Sequence, residues 1–158
     1  MDLANATTEQ GQKIDTSKPY IQVYFQPSFD NHILLQLQLD KEFLKWYRTT
    51  WEKLLDAPKF NDPIQQLKFI GEPIKPTIKY ESGKTELRIL EQVLDFIKTI
   101  SIRPRLEKWS GIILDGISYT LTISVDSVET KYRWHYLPDD WTDLQKLADM
   151  LEEINSKL

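Results

Sequence analysis

The chain has 158 residues, 41% hydrophobic and 28% charged, with a formal net charge of −4. This balance is typical of one soluble globular domain, and it argues against broad nucleic-acid binding, which needs clustered Lys and Arg facing phosphates. The absence of cysteine excludes disulfides and thiolate zinc sites, and the apolar runs are too short to span a bilayer. We therefore expect a cytoplasmic protein that binds neither nucleic acid nor membranes.

The N-terminal part predicts a flexible arm followed by a β-hairpin. Residues 1–18 are polar and small, so we expect an arm there and a single domain over 19–158. Apolar and polar residues alternate over residues 20–25 and again over 33–39, with turn-forming residues between them. This alternation predicts a hairpin with one buried face.

Residues 41–56 are predicted to form the first helix. Asp40 is suited to cap it, because its short carboxylate can accept a free N–H of the first turn. The apolar residues of this segment recur at helical spacing, while charged residues take the opposite side. Trp46 lies at the edge of the apolar stripe, where a side chain is available to a partner.

Prolines dominate the middle of the chain and rule out a long helix over residues 56–83. Two short strands around Gly71 and Glu72 are the favoured reading, and proline would place them at a sheet edge. A second helix is predicted over residues 84–100, because apolar residues cover about half of its circumference. Arg103 and Pro104 end it, since the residue before proline avoids helical angles.

Residues 112–136 predict a three-stranded antiparallel meander. Asp115 and Gly116 are typical of a type I′ turn, because both of its central positions need positive φ. A second turn at residues 126–127 would bring the chain back along the middle strand. The meander thus consists of three consecutive segments of the chain.

The apolar pattern fixes the register of the last two strands. With the turn at residues 126–127, Leu121 faces Tyr132 and Tyr119 faces Trp134. One side then carries Tyr119, Leu121, Ile123, Tyr132, Trp134 and Tyr136, and the other Ser118, Thr120, Thr122, Lys131, Arg133 and His135. A slip by one residue would turn one apolar set outward, so we expect this register.

A last helix follows Pro138, and its apolar residues are predicted to cover the aromatic side of the meander. The expected fold is α+β: a mainly antiparallel sheet of about five to seven strands, with three helices largely on one face.

Catalytic and metal-binding motifs are absent from the sequence. The two histidines are not at ligand spacing, and no phosphate-binding glycine motif or serine elbow occurs. His135, beside Arg133, is interpreted as a solvated surface residue. Asp139, Asp140 and Asp143 are explained by capping and the helix dipole. We therefore expect no enzyme activity, no cofactor and no metal.

The stretches "DGISYTLTI" and "KYRWHYLPDDWTDLQKLADML" form a strand pattern followed by a terminal helix. Over residues 109–158, and in its modest acidity and lack of cysteine, the chain resembles bacterial immunity proteins of polymorphic-toxin and contact-dependent-inhibition systems. The resemblance implies a cytoplasmic protein that binds and neutralises one toxin domain through carboxylates and aromatic anchors. The candidate contacts are Asp115, Asp126, Glu129, Asp139, Asp140, Asp143, Trp46 and Tyr136.

Two other functions stay open. The chain can be a small-ligand or peptide-binding scaffold, with an aromatic-lined pocket around Tyr119 and Trp134. It can also be an enzyme in which His135 acts with Arg133 and a nearby carboxylate.

Overall fold

A computed structural model describes residues 14–56, 64, 76–101, 116–125, 128–135 and 141–158. Its strands are β1 (Tyr20–Pro27), β2 (His32–Leu39), β3 (Phe43–Trp51), β4 (Ile78–Glu86), β5 (Ile117–Val125) and β6 (Val128–Trp134). Its helices are a 3-10 helix (Leu87–Leu90), α1 (Glu91–Thr99) and α2 (Thr142–Lys157). The six strands form one antiparallel sheet in the order β4-β3-β2-β1-β5-β6. The predicted α+β class is confirmed.

The first hairpin forms as predicted and supplies the centre of the sheet. Ile21 lies opposite Leu37 and Val23 opposite Leu35, so their side chains share one face. All four are buried in the hydrophobic core. The alternating pattern therefore predicted the buried residues of this hairpin correctly, because successive side chains of a strand point to opposite faces.

The predicted helix over residues 41–56 is wrong, because residues 43–51 form strand β3. Asp40 belongs to the turn between β2 and β3, where its backbone N–H donates to the carbonyl of Phe43 at 3.1 Å. The segment FLKWYRTTW is rich in aromatic residues and threonine, which favour strands. Pairing with β2 on one side and β4 on the other outweighs the helical spacing of its apolar residues.

The second predicted helix begins later than expected, because β4 continues to Glu86. Within β4, Gly83 lies opposite Trp46, and a Cβ at Gly83 would sit 2.8 Å from the Trp46 ring. Glycine is therefore required where the indole lies over the strand. The two strands predicted around Gly71 fall outside the described residues.

The register predicted for the last hairpin is confirmed, with Tyr119 opposite Trp134 and Leu121 opposite Tyr132. The first strand of the predicted meander, however, cannot pair with β5. Tyr119 has Trp134 on one side and Phe25 of β1 on the other, so both edges of β5 are occupied. The meander prediction placed residues 112–114 beside β5, and strand β1 of the N-terminal hairpin occupies that edge instead. Residues 112–114 lie outside the described residues.

Helix α2 covers the aromatic side of this hairpin, as predicted. Leu144, Leu147, Ala148, Leu151 and Ile154 are buried against the sheet. Two polar contacts fix the helix: the Tyr119 hydroxyl donates to Glu152 Oε1 at 3.2 Å, and Arg48 Nη2 donates to the carbonyl of Asn155 at 2.8 Å. A cation near the last carbonyls of a helix also complements its dipole.

The other face of the sheet, which we call the second face, is polar and aromatic. Gln36 Nε2 donates to Gln22 Oε1 at 2.9 Å between neighbouring strands. Residues 14–18, the end of the predicted arm, reach this region, because Gln38 Nε2 donates to the carbonyl of Asp15 at 2.6 Å. Residues 1–13 lie outside the described part, so the extent of the arm stays a prediction.

Candidate binding surface at the loop end of the sheet

A polar pocket and several exposed apolar side chains lie at one end of the sheet. β1 ends at Pro27 opposite Ile117, where β5 begins, and β3 ends at Trp51 opposite His32, where β2 begins. The start of β4 and the end of β6 lie at the same end, since neighbouring strands are antiparallel. We call it the loop end.

A buried carboxylate organises this end. Asp56 is fully buried and accepts three hydrogen bonds: from Trp51 Nε1 at 2.9 Å, and from the backbone N–H and hydroxyl of Thr77 at 2.7 Å each. A buried charge needs such partners, because desolvation without them costs several kcal/mol. The contacts fix the helical turn at residues 53–56 between the end of β3 and the start of β4.

The same turn is attached to the loop between β1 and β2. Lys53 Nζ donates to the carbonyl of Ser28 at 2.7 Å, and the backbone N–H of Leu54 donates to Asn31 Oδ1 at 3.4 Å. These two contacts hold the loop beside the turn. The two segments that carry the exposed apolar residues are therefore neighbours at the loop end.

Three large apolar side chains are exposed on these two segments. Phe29 is 73% exposed, Leu54 57% and Leu55 62%. We call them the apolar patch. Single exposed apolar residues are ordinary on protein surfaces, whereas a group of large ones marks an interaction site.

A polar pocket of about 560 Å³ adjoins the patch and is lined by Ser28, Ser118, Arg133, Trp134 and His135. Ser28 forms its wall, because its backbone N–H and its hydroxyl both donate to the carbonyl of Gly116, at 3.0 and 3.1 Å. Gly116 has a φ of +129°, and a Cβ there would lie 3.0 Å from His135 Nε2. Glycine thus satisfies both the backbone angle and the close approach of the imidazole.

Ser118 and His135 form a hydrogen-bonded pair, with 2.7 Å between Ser118 Oγ and His135 Nδ1. A serine and a base at this distance can transfer a proton or orient a ligand. Acyl transfer also needs preorganised donors in a water-excluded site. Arg133, the neighbouring cation, is exposed to solvent. The pair and the exposed cation can therefore meet a ligand at the surface.

His32 lies at the same end and, like Ser118, Arg133 and His135, on the second face. Its ring packs edge-on against Trp51, with ring centroids 5.0 Å apart, and against Tyr24 at 6.1 Å. Burial, followed by the cationic Lys53, lowers the pKa of His32. Neutral His32 is therefore the form that supports this aromatic cluster.

Three of the sequence-predicted contact residues lie in described regions, and they do not lie together. Glu129 on β6 accepts a hydrogen bond from the Tyr20 hydroxyl at 2.6 Å. Asp143 is exposed in the first turn of α2. Trp46 is half-buried, packs against the core and has the Arg48 guanidinium 5.4 Å from its ring.

The other predicted contacts, Asp115, Asp126, Asp139, Asp140 and Tyr136, lie outside the described residues. Asp115 and Tyr136 are the chain neighbours of Gly116 and His135 at the pocket. The roles of all eight residues as partner contacts stay predictions.

The apolar patch was missed by sequence reasoning, because Leu54 and Leu55 were assigned to the buried stripe of a helix. Phe29 was the available signal for this surface, because it lies in the turn segment Pro27-Ser28-Phe29-Asp30. A large aromatic residue in a turn has no alternating neighbours to pack with. For the pocket, the predicted register had already placed Ser118, Arg133 and His135 on one face.

The aromatic-lined pocket around Tyr119 and Trp134 stays a prediction. The two rings stack, with centroids 5.1 Å apart, and both side chains are buried. The pocket that Trp134 does line is polar.

Comparison with known protein families, curated proteins and solved structures finds no match to this chain. Among the described residues, no group of three or more His, Cys, Asp or Glu side chains is arranged to hold a metal ion. No helix in the described ranges combines the length and apolar character needed to cross a membrane.

Proposed function

We propose that this chain is a non-enzymatic protein-binding domain that recognises its partner through the loop end. The observation that carries the proposal is the apolar patch of Phe29, Leu54 and Leu55, each more than half exposed on two segments joined by hydrogen bonds. Covering these side chains would contribute about 1–2 kcal/mol each.

The surroundings of the patch resemble those of a specific interface. Interfaces combine an apolar centre with a polar rim, and a few anchoring side chains supply most of the binding energy. Here the patch is the apolar centre, and the pocket with Arg133 belongs to the rim. Asp56 holds the turn that carries Leu54 and Leu55, so ordering this part of the surface costs little on binding.

For the partner, we propose a toxin domain, which makes the chain an immunity protein acting in the cytoplasm. The support is the resemblance of residues 109–158 to such proteins, together with the lack of catalytic and metal-binding motifs. An immunity protein needs a stable scaffold with one tight binding surface. The loop end offers exposed apolar side chains beside a polar pocket, which are the parts of such a surface.

The proposal predicts that a toxin domain is encoded next to this gene, and the test uses that domain. We expect co-expression of the full chain to restore growth of cells that produce the toxin, and the purified proteins to form a complex. The triple variant Phe29→Ser, Leu54→Ser, Leu55→Ser should lose at least about 100-fold in affinity, because anchor residues typically contribute 1–2 kcal/mol or more each.

The matched control replaces exposed apolar residues at the other end of the sheet. Val125 and Val128 are 43% and 65% exposed, so Val125→Ser with Val128→Ser removes exposed apolar surface away from the loop end. We expect this double variant to bind within about threefold of the wild type. A complex that tolerates the triple variant, or the absence of any complex and of growth rescue, would contradict the proposal.

A small-ligand scaffold is the second candidate, and the volume of the pocket, about 560 Å³, favours it. Ligand pockets are commonly of this size, with a few polar groups that fix orientation. This function predicts that the purified protein retains a small molecule, detectable by mass spectrometry of the denatured sample. A ligand lost on substitution of Arg133, together with no effect of the patch variants on any partner, would favour this function over the first.

A further inference from the structure

We propose that the pocket at the loop end receives a carboxylate side chain, Asp or Glu, from the protein partner. Arg133 is its main ligand and Ser118 supplies a second hydrogen bond. The proposal deepens the proposed function and rests on it, since it assigns the chemistry of one partner residue beside the apolar patch.

Arg133 is the cation of this pocket. It lies opposite Thr120 on β5, so its side chain leaves the sheet on the same face as Ser118 and His135. The guanidinium is exposed and makes no hydrogen bond or ion pair with any described residue. Its planar fork can donate two parallel N–H···O bonds to a carboxylate.

The Ser118–His135 pair provides a donor that responds to an anion. Across the 2.7 Å contact, either the Ser118 hydroxyl donates to Nδ1, or Nδ1–H donates to Ser118 Oγ. In the second arrangement the Ser118 hydroxyl hydrogen is released to point into the pocket. A bound carboxylate selects this arrangement, because it then accepts a hydrogen bond from Ser118 while His135 holds the serine oxygen.

Other groups of the pocket have contacts within the fold. The Ser28 hydroxyl already donates to the Gly116 carbonyl, so it shapes the wall and does not donate to the ligand. Gly116 lies beside His135, since a Cβ there would sit 3.0 Å from Nε2. Donors that are held by such contacts lower the ordering cost of binding.

The charge of the site favours a carboxylate over a phosphate. Phosphate sites usually combine several cations or a helix N-terminus with backbone N–H groups. Here Arg133 is the lining cation, and Lys131, two residues earlier on the same face of β6, is not part of the lining. One arginine neutralises one carboxylate. Ser28 and Phe29 are consecutive, so a partner seated on the patch reaches the pocket.

A titration of the free full-length protein tests the site without the partner. The probe is the capped peptide acetyl-Ala-Glu-Ala-amide, and its binding is monitored by nitrogen-15 NMR of the protein. The same peptide with glutamine in place of glutamate, and inorganic phosphate, serve as comparisons. We expect saturable shifts of the Arg133 Nε–Hε signal and of the amides of Ser118 and His135, with a millimolar Kd. The glutamine peptide should bind at least about 10-fold more weakly, because the pair with arginine is charge-assisted.

Two variants on β6 give the matched control. Both Arg133 and Lys131 are exposed, so Arg133→Gln and Lys131→Gln should leave the Tm unchanged. Arg133→Gln should lower the affinity for the glutamate peptide, and also for the toxin domain, by at least about 10-fold. Lys131→Gln should change both affinities by less than about twofold.

The site is overturned by a lack of saturable shifts, by equal effects of the two variants, or by tighter binding of phosphate than of the glutamate peptide. If the peptide binds but Arg133→Gln leaves the complex unchanged, the assignment to a partner residue is wrong. The apolar-patch variants then still decide the proposed function, because they leave this pocket intact.

Discussion

The two ends of the sheet differ in whether the charged groups Asp40 and Arg133 have partners within the fold. At the end opposite the loop end, which we call the turn end, Asp40 accepts from the backbone N–H of Lys41 at 2.9 Å and pairs with Lys18 and Lys45 at 3.4 Å each. At the loop end, the Arg133 guanidinium has no such partner among the described residues, and the apolar patch is exposed. The carboxylate of Asp40 at the turn end is thus paired within the fold, whereas Arg133 and the apolar patch at the loop end face solvent.

The largest effect is expected where the loop end is itself held together. Asp56→Ala removes the carboxylate that accepts three hydrogen bonds. The Trp51 indole N–H, the Thr77 N–H and the Thr77 hydroxyl then lose this acceptor. We expect the free energy of unfolding to fall by about 3 kcal/mol or more, measured by urea denaturation. Asp30→Ala, at an exposed aspartate of the same end, should change it by less than about 0.5 kcal/mol. Equal effects would mean that Asp56 does not organise this end.

A pH-dependent effect is expected near the turn end. Burial, and then the hydrogen bond to Glu129, raise the pKa of Tyr20 from 10.0 to about 12. The unfolded chain loses this proton first, so the folded state binds more protons, and stability falls as the pH rises from 10 towards 12. Tyr20→Phe should flatten this part of the curve of unfolding free energy against pH. An unchanged slope would contradict the assignment.

A smaller effect is expected from Asp40. The hydrogen bond from the Lys41 N–H, and then contacts with Lys18 and Lys45, lower the pKa of this carboxyl. Its contribution is therefore present above the ordinary aspartate pKa and is lost as the pH falls below it. Asp40→Asn should reduce stability slightly at neutral pH and at low salt, and the difference from the wild type should vanish in acid. Persistence of the full difference at high salt would contradict an ionic origin.

The smallest effect on stability is expected in the apolar patch itself. Phe29 is 73% exposed and Val128, at the turn end, is 65% exposed. Phe29→Ser and Val128→Ser should therefore each change the Tm by no more than about 2 °C. A large drop for Phe29→Ser alone would show that this ring stabilises the fold, and it would remove the main support for a binding surface.

Sequence patterns predicted the last hairpin and α2 well, because the turn, the alternation of the strands and the apolar face of the helix all agree. They failed at β3, where Phe43, Tyr47 and Trp51 fit a helical spacing as well as a strand. Only pairing with β2 and β4 distinguishes the two, and such pairing is not local. The same reason explains why β1, distant in sequence, takes the place beside β5.

The candidate site was partly predictable. Ser118, Arg133 and His135 fall on one face from the register alone. Ser28 joins them only because β1 pairs with β5, and Leu54 is exposed only because the chain leaves β3 in a short helical turn. Exposure and proximity at the ends of strands depend on the path of the whole chain.

Hydrogen–deuterium exchange of the complex with the proposed toxin partner tests the central claim most directly. Our account predicts slower exchange on binding at residues 28–31 and 52–56, and no change in the turn at residues 40–42. Protection confined to residues 40–42, or spread equally over both ends, would contradict a partner surface at the loop end.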